Sequence, residues 1–302
     1  MMELIKHKTH FDFASKFGVA FSSSAIVVLA CLGLILFGKG LNYGVDFRGG
    51  AEIQVKFFDD VGPAEVRLAL DKGKVGANVQ NIGDASENEY LVKMQTEDDN
   101  LNLVTTKVGD IFKQNFSNKK FEIRKTDIVG PKAGKQLRVS GFMAMLWSII
   151  AIMIYVALRF DFKYAPGAVL ALLHDAVITV GIFALLGKEF NLQIVAAVLA
   201  IIGYSVNDTV IVYDRVREHE MKSSGTALRV LINRAINETL SRTVLTSGAT
   251  LLVCIIMYFF GGKSIEDFFF AMSVGIITGT FSSVFIAAPV TLILDHYRKK
   301  KA

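Results

Sequence analysis

Residues 190–213 read FNLQIVAAVLAIIGYSVNDTVIVY, 24 positions carrying one formal charge, Asp208. A helix crosses ~30 Å of hydrocarbon with about 20 mostly apolar residues, so this run is long enough to span a membrane. An ionisable side chain inside it costs several kcal/mol and by default marks an ion or substrate path. This stretch predicts both a membrane fold and a place to look for chemistry.

Five more runs of this kind lie around it, at 17–38, 139–158, 164–187, 242–262 and 268–294. The run at 164–187 is interrupted by His174 and Asp175, and Pro289 is expected to kink the end of the last one. Six transmembrane helices follow. The first is too long for a signal-peptide core and lacks a small-residue cleavage site.

Composition agrees: 52% of the 302 residues are hydrophobic, 20% are charged, and mean hydropathy is +0.43. These values point away from a soluble enzyme. Residues 39–138 hold 16 Lys/Arg and 15 Asp/Glu, about half of all the charge, and form a separate domain between the first and second spans. The net charge of +5 lies in short segments flanking apolar runs, which is the pattern of membrane topology; no nucleic-acid partner is expected. Cys31 and Cys254 sit inside apolar runs and read as small core residues, with no disulfide or metal site implied.

Lys/Arg placement sets the orientation. Lys6, Lys8 and Lys16, the loop with Arg159 and Lys163, the 214–242 segment and the tail Arg298–Lys301 alternate correctly to share the cytoplasmic side. The N-terminus (1–16) and the tail (295–302) are thus cytoplasmic, and the 39–138 domain is extracytoplasmic, because long domains cross largely regardless of charge.

Within that domain, Ile53, Val55 and Phe57 alternate as on a strand, Pro63 opens a helix through Val66 and Leu70 that Gly73 stops, and 75–82 pairs with 89–94 around a turn at 83–88. Leu101, Val104, Val108, Ile111 and Phe112 make a helical stripe, and 121–128 a last strand. The order βαββαβ is that of an α+β, ferredoxin-like split unit. Further on, residues 223–241 place Ala227, Leu228, Leu231, Ile232, Ala235 and Ile236 opposite Arg229, Asn233 and Arg234. This segment reads as a cytoplasmic amphipathic helix along the interface, or as a plain connector.

Three groups carry candidate chemistry: Asp208, Arg242 and, more weakly, Asp175. Counted from Leu192 and Gly261 at ~1.5 Å per residue, Asp208 and Arg242 lie about 24 and 28 Å deep on antiparallel helices, within one turn of each other. A lateral pair is feasible. Tyr204, Ser205 and Asn207 beside Asp208, and Thr246 and Thr250 after Arg242, make facing polar stripes able to hold water for a proton path. Arg242 reads equally as an interfacial anchor, and Asp175 equally as a helix-packing group. Burial and a nearby guanidinium pull a carboxylate's proton affinity in opposite directions, so small movements swing it. His174 lacks partners at metal spacing, and no zinc site is expected.

Gly44-Val45-Asp46-Phe47-Arg48-Gly49-Gly50, Leu173-His174-Asp175, the run from Ile202 to Thr209, Tyr213 to Glu218, and Ser241-Arg242-Thr243 stand in order along the chain. Together they resemble the SecF branch of the SecD/SecF family of protein-export membrane proteins, in the resistance-nodulation-division (RND) superfamily. The resemblance covers essentially the whole chain. It implies a bacterial inner-membrane subunit that forms a twelve-span complex with a separate SecD beside the SecYEG channel. Working after SecA, that complex uses the proton-motive force to assist movement of unfolded preprotein at the outer face. It further implies no cofactor beyond protons as the coupling ion, Asp208 and Arg242 as proton-path residues, and no enzymatic activity of its own. In the domain-entry motif Gly44, Asp46, Phe47, Arg48, Gly49 and Gly50, the last two glycines can turn the chain from the membrane into the first strand, and Asp46 and Arg48 alternate with Phe47 so as to clamp that base by hydrogen bonds; the motif reads also as an ordinary domain entry with no direct part in transport. The rival readings are an RND-type exporter of small molecules or lipids and a passive scaffold or chaperone subunit whose buried charges are structural.

Overall fold

The computed structural model describes residues 9–83, 87–95, 101–223 and 225–301, without the side chains of 101–105, Lys299 and Lys301. Part of the expected turn at 83–88, the Leu101 and Val104 side chains, and Lys6 and Lys8 therefore lie outside the described residues.

Among the described residues, six helical segments are long and apolar enough to cross a membrane. They are α1 (Phe17–Phe37, preceded by a 3-10 turn at Ala14–Lys16), α5 (Pro131–Arg159), α6 (Ala165–Leu186), α7 (Leu192–Lys222), α8 (Leu228–Phe260) and the last segment. That last segment is compound, with α9 (Lys263–Ser282), a π-turn (Ser283–Ala287) and α10 (Ala288–Lys301). The chain is a polytopic helical membrane protein. Half of the apolar window of α6 and of α7, and 61% of that of the last segment, is buried, against 11% for α1 and α5. The first three form the centre of the bundle, and α1 and α5 form its rim.

Two boundaries differ from the sequence reading. No Gly or Pro lies between Leu228 and Ser247, so the expected amphipathic helix and fifth span are one continuous rod, α8. The polar face of its first turns does not lie free along an interface. Asn233 Oδ1 accepts the Phe13 and Ala14 N–H groups at 2.9 and 3.1 Å, Asn237 Oδ1 accepts Phe11 N–H at 2.8 Å, and Arg229 donates to the Ala14 carbonyl at 2.9 Å. These bonds tie the N-terminal segment down. In the last span, Pro289 cannot donate an N–H and its ring crowds the preceding turn. The distortion appears just upstream, as the π-turn, whose Ala287 carbonyl accepts the hydroxyls of Tyr213 (3.1 Å) and Thr291 (3.0 Å).

Between α1 and α5 come β1 (Asn42–Tyr43), α2 (Val45–Arg48), β2 (Gly50–Phe57), α3 (Pro63–Lys72), β3 (Ala77–Asn81), β4 (Glu89–Met94), α4 (Leu101–Asn115) and β5 (Phe121–Val129). Four strands make an antiparallel sheet in the order β3-β4-β2-β5. Ile53, Val55 and Phe57 on β2 are all but fully buried, with Val66 and Leu70 of α3 and Val108 and Phe112 of α4 in the same core. Alternation on the strand and helical spacing on the helices thus meet in one apolar layer. The opposite, polar face of the sheet overlooks the start of α9, where Gln54, Lys125, Lys263 and Ser264 line a cavity of about 240 Å³.

Candidate functional site

The glycine-rich motif is where membrane and sheet meet. Gly49 and Gly50 have φ of 89° and 148°, conformations that L side chains rarely adopt. A Cβ on Gly50 would also collide with the Met94 carbonyl. Between Gly44 and Gly49 the chain makes one helical turn, α2. Its Asp46 Oδ2 accepts the Leu192 N–H at 3.0 Å, at the start of α7, where Asn191 already caps the Ile194 N–H. Phe47, 2% exposed, is wedged between Tyr43 and Phe190. Beside it, β1 pairs in parallel with β6 (Glu189–Phe190), in the link between α6 and α7. Asp46 therefore does clamp the motif, onto α7; Arg48 is exposed and makes no such bond among the described residues.

A second bridge joins the sheet to the same link. Lys93 Nζ on β4 lies 2.7 Å from Glu189 and 3.3 Å from Glu52, with only 12% of its side chain exposed. Burial pulls the amine's pKa down, but the bonds to Glu189 and Glu52 outweigh it and hold the value above the ordinary lysine range.

Inside the bundle, Asp175 on α6 is fully buried. Its Oδ2 accepts Ser205 Oγ at 2.6 Å from α7 and Ser282 Oγ at 2.8 Å from α9, and its Oδ1 stands 2.9 Å from His174 Nδ1. His174 Nε2 is in turn 2.5 Å from Ser24 Oγ on α1. Four helices thus meet on one hydrogen-bonded chain. Its closeness rests on Gly279, where a Cβ would stand 3.1 Å from Ser205 Cβ and 3.5 Å from Asp175 Oδ2.

One turn along α7 from Ser205, Asp208 is 2% exposed and accepts Ser247 Oγ of α8 at 3.3 Å. Ser247 is also reached by Tyr204 (3.4 Å) and by Thr280 of α9 (2.9 Å), and Tyr204 lies 3.4 Å from Thr250. The feasible lateral Asp208–Arg242 pair is not made as a contact: among the described residues no ion pair within 4.0 Å joins them. Arg242 is exposed. Thr246 and Thr250 donate to carbonyls of their own helix, at Arg242 and Thr246. The buried polar stripe of α8 is Thr239, Thr243 and Ser247, one position round from the stripe read off Arg242. Asn207 is exposed. Ser24, Ser247, Thr280 and Ser282 were missed; Ser247 could have been found from its i+4 spacing to Thr243.

At the far end of α7, Glu238 of α8 accepts from Arg215 at 2.5 Å and from Arg234 at 2.9 Å, and lies 2.9 Å from His219. This cluster closes the α7–α8 hairpin.

Known proteins share this architecture. Residues 107–297 match the model of the C-terminal region of the protein export membrane proteins SecD/SecF, and residues 34–57 match the SecD/SecF GG motif. The chain is 39% identical to the protein translocase subunit SecF of Calditerrivibrio nitroreducens over 99% of both chains. It is 40% identical to that of Magnetococcus marinus, over 99% of this chain and 97% of the other. Among solved structures it resembles SecDF, a translocon-associated membrane protein from Thermus thermophilus, with TM-score 0.82 and 32% identity. It also resembles SecDF in a super-membrane-facing form, with TM-score 0.73 and 32% identity. The alignments cover 97% and 100% of this chain but 40% of each SecDF chain. Six membrane-spanning helices, the glycine-rich motif clamped on α7 and these matches lead to one conclusion: the chain belongs to the SecD/SecF family of protein-export membrane proteins.

Proposed function

We propose that this chain is the SecF-type subunit of the Sec export machinery. With SecD, in a twelve-span complex beside SecYEG, it uses the proton-motive force to assist preprotein movement and release at the outer face, after SecA has acted. The observation that carries this reading is Asp208: a carboxylate 2% exposed, in the centre of the bundle, held by one hydroxyl. Such a group can change protonation when α7 and α8 shift slightly, because its partners are few and adjustable. Moving one charge across the field is worth about 2.3 kcal/mol per 100 mV. The route outward is α7 itself, whose first residue is held by Asp46 at the base of β2.

In this reading both termini are cytoplasmic, the membrane is the bacterial inner membrane, and the four-stranded domain is extracytoplasmic. Its βαββαβ order and β3-β4-β2-β5 sheet support a ferredoxin-like assignment. The test is export of a secreted reporter in cells whose sole copy carries Asp208→Asn, with levels of this chain and of SecD measured alongside. Lost export with normal assembly is the expected result. Unchanged export would move a scaffold role to the front.

A further inference from the structure

Helix α1 touches the bundle along one stripe, at Phe17, Ser24 and Cys31, its buried positions. Two cavities of about 640 and 330 Å³ adjoin at Phe21, the first lined also by Phe17 of that stripe and the second by Ser24 and its partner His174. Together they make a groove that follows α1 from Ala14 to Leu32, a rise of about 27 Å at ~1.5 Å per residue. Its walls are α10 and, further along, α6.

The lining is graded. At the end of the bundle opposite the sheet, the groove opens between Ser15 of the 3-10 turn, Arg229 of α8 and His296 of α10. Further in it is bordered by Phe21 and Leu292, then by Val28, Leu170 and Val177. Arg229 is exposed; one of its N–H groups serves the Ala14 carbonyl, and among the described residues no carboxylate lies within 4.0 Å of its guanidinium. The nearby Asp12 carboxylate is turned back onto Ser15 N–H at 3.1 Å. A cationic mouth at the end of a membrane helix, leading to an apolar slot as long as an extended acyl chain, has the polarity of a phospholipid.

We propose that this groove holds one anionic phospholipid, its phosphate on Arg229 and His296 and an acyl chain running past Phe21 toward Val28. A hydrophobic segment of a partner would need no cation at the mouth, and a free anion would need no slot. The lipid lies against the helix that leads into the β-sheet domain. The proposal requires only that the helices span a bilayer; the proton site can fail without it, and it without the proton site.

The test is native mass spectrometry of the purified full chain after partial delipidation in an equimolar mixture of phosphatidylglycerol and phosphatidylcholine. One phosphatidylglycerol should be retained over phosphatidylcholine, by about fivefold for the Arg229 contact. Arg229→Gln should lower that preference about fivefold. Leu292→Trp, which fills the slot, should lose both lipids. Leu146→Trp on the exposed face of α5 should change neither. Because Arg229 also holds Ala14, the helical circular dichroism of each variant is measured, and His296→Glu, which sets a negative charge at the mouth, provides a second, independent loss of preference. Equal retention of the two lipids by the unaltered chain overturns the proposal, as does unchanged preference in both mouth variants. Photocrosslinking from Gly18 to a SecD helix instead of to phosphatidylglycerol, in the assembled complex, would overturn it in favour of a protein occupant.

Discussion

Replacing Lys93 by Gln should loosen the α/β domain from the α6–α7 link. Two unit charges 2.7 Å apart attract by about 6 kcal/mol at an effective dielectric of ~20, before desolvation is subtracted. Exposed pairs net about 1 kcal/mol or less, whereas removing one partner of a fully buried pair costs ~3–5 kcal/mol. With 12% of the Lys93 side chain and 20% of Glu189 exposed, the bridge sits between these limits. The loss is then about 2 kcal/mol, roughly thirtyfold in the docking equilibrium. Spin labels on Asp71→Cys and Phe260→Cys, both exposed, report that equilibrium as a distance distribution, while the native Cys31 and Cys254 stay buried and unlabelled. Lys93→Gln should add a longer, separated population. Glu189→Gln should add less, because Glu52 still holds the amine, and the double variant should fall short of the sum of the two. Strict additivity, or no separated population in Lys93→Gln, would refute the bridge as a fastener.

The same readout carries a pH prediction. The Lys93 pKa is raised in the folded chain, so its contribution is fully present below the ordinary lysine value of about 10.4 and is lost as pH rises through the folded value. Docking should be flat across neutral pH and weaken only in strong alkali; weakening near neutrality would contradict the assignment. Asp175→Ala leaves Ser205, Ser282 and His174 facing an empty site and should cost about 2–4 kcal/mol in thermal unfolding, with Asp175→Asn recovering much of it. Gly50→Ala combines a strained φ with collision against Met94. It should cost about 3 kcal/mol or more, seen as reduced folded yield, while Gly203→Ala on an open helix face should be neutral or better.

The spans were legible because charge-free runs are a local property, and one charge inside such a run is conspicuous. Asp208 was found that way, and in the structure it is buried between α7 and α8. Its hydroxyl partner was not, because stepping by four residues from Arg242 assumes that Arg242 points inward. One residue turns a helix by ~100°, and packing against α7 and α9 selected Thr243 and Ser247 instead. The polar face of 223–241 was legible as polar, with an interfacial helix and a plain connector both left open, but the segment it bonds was not. Its partners at Phe11 and Phe13 are more than 200 positions away in sequence, where no periodicity can reveal them. The Lys93–Glu189 bridge was hidden for the same reason.

The Asp46 clamp has a mechanical consequence. From Leu192 to Asp208, α7 is an unbroken rod of about 24 Å, at ~1.5 Å per residue. Tilting such a rod by about 5° about the carboxylate swings its tip by roughly 2 Å, more than the slack of a 3.0 Å hydrogen bond. The tip is fastened to a single helical turn that ends in Gly49 and Gly50, the first of them backed by Pro131 at the root of α5. The sheet is thus hung between two spars, and any difference in their motion is delivered as torque to the first residue of β2.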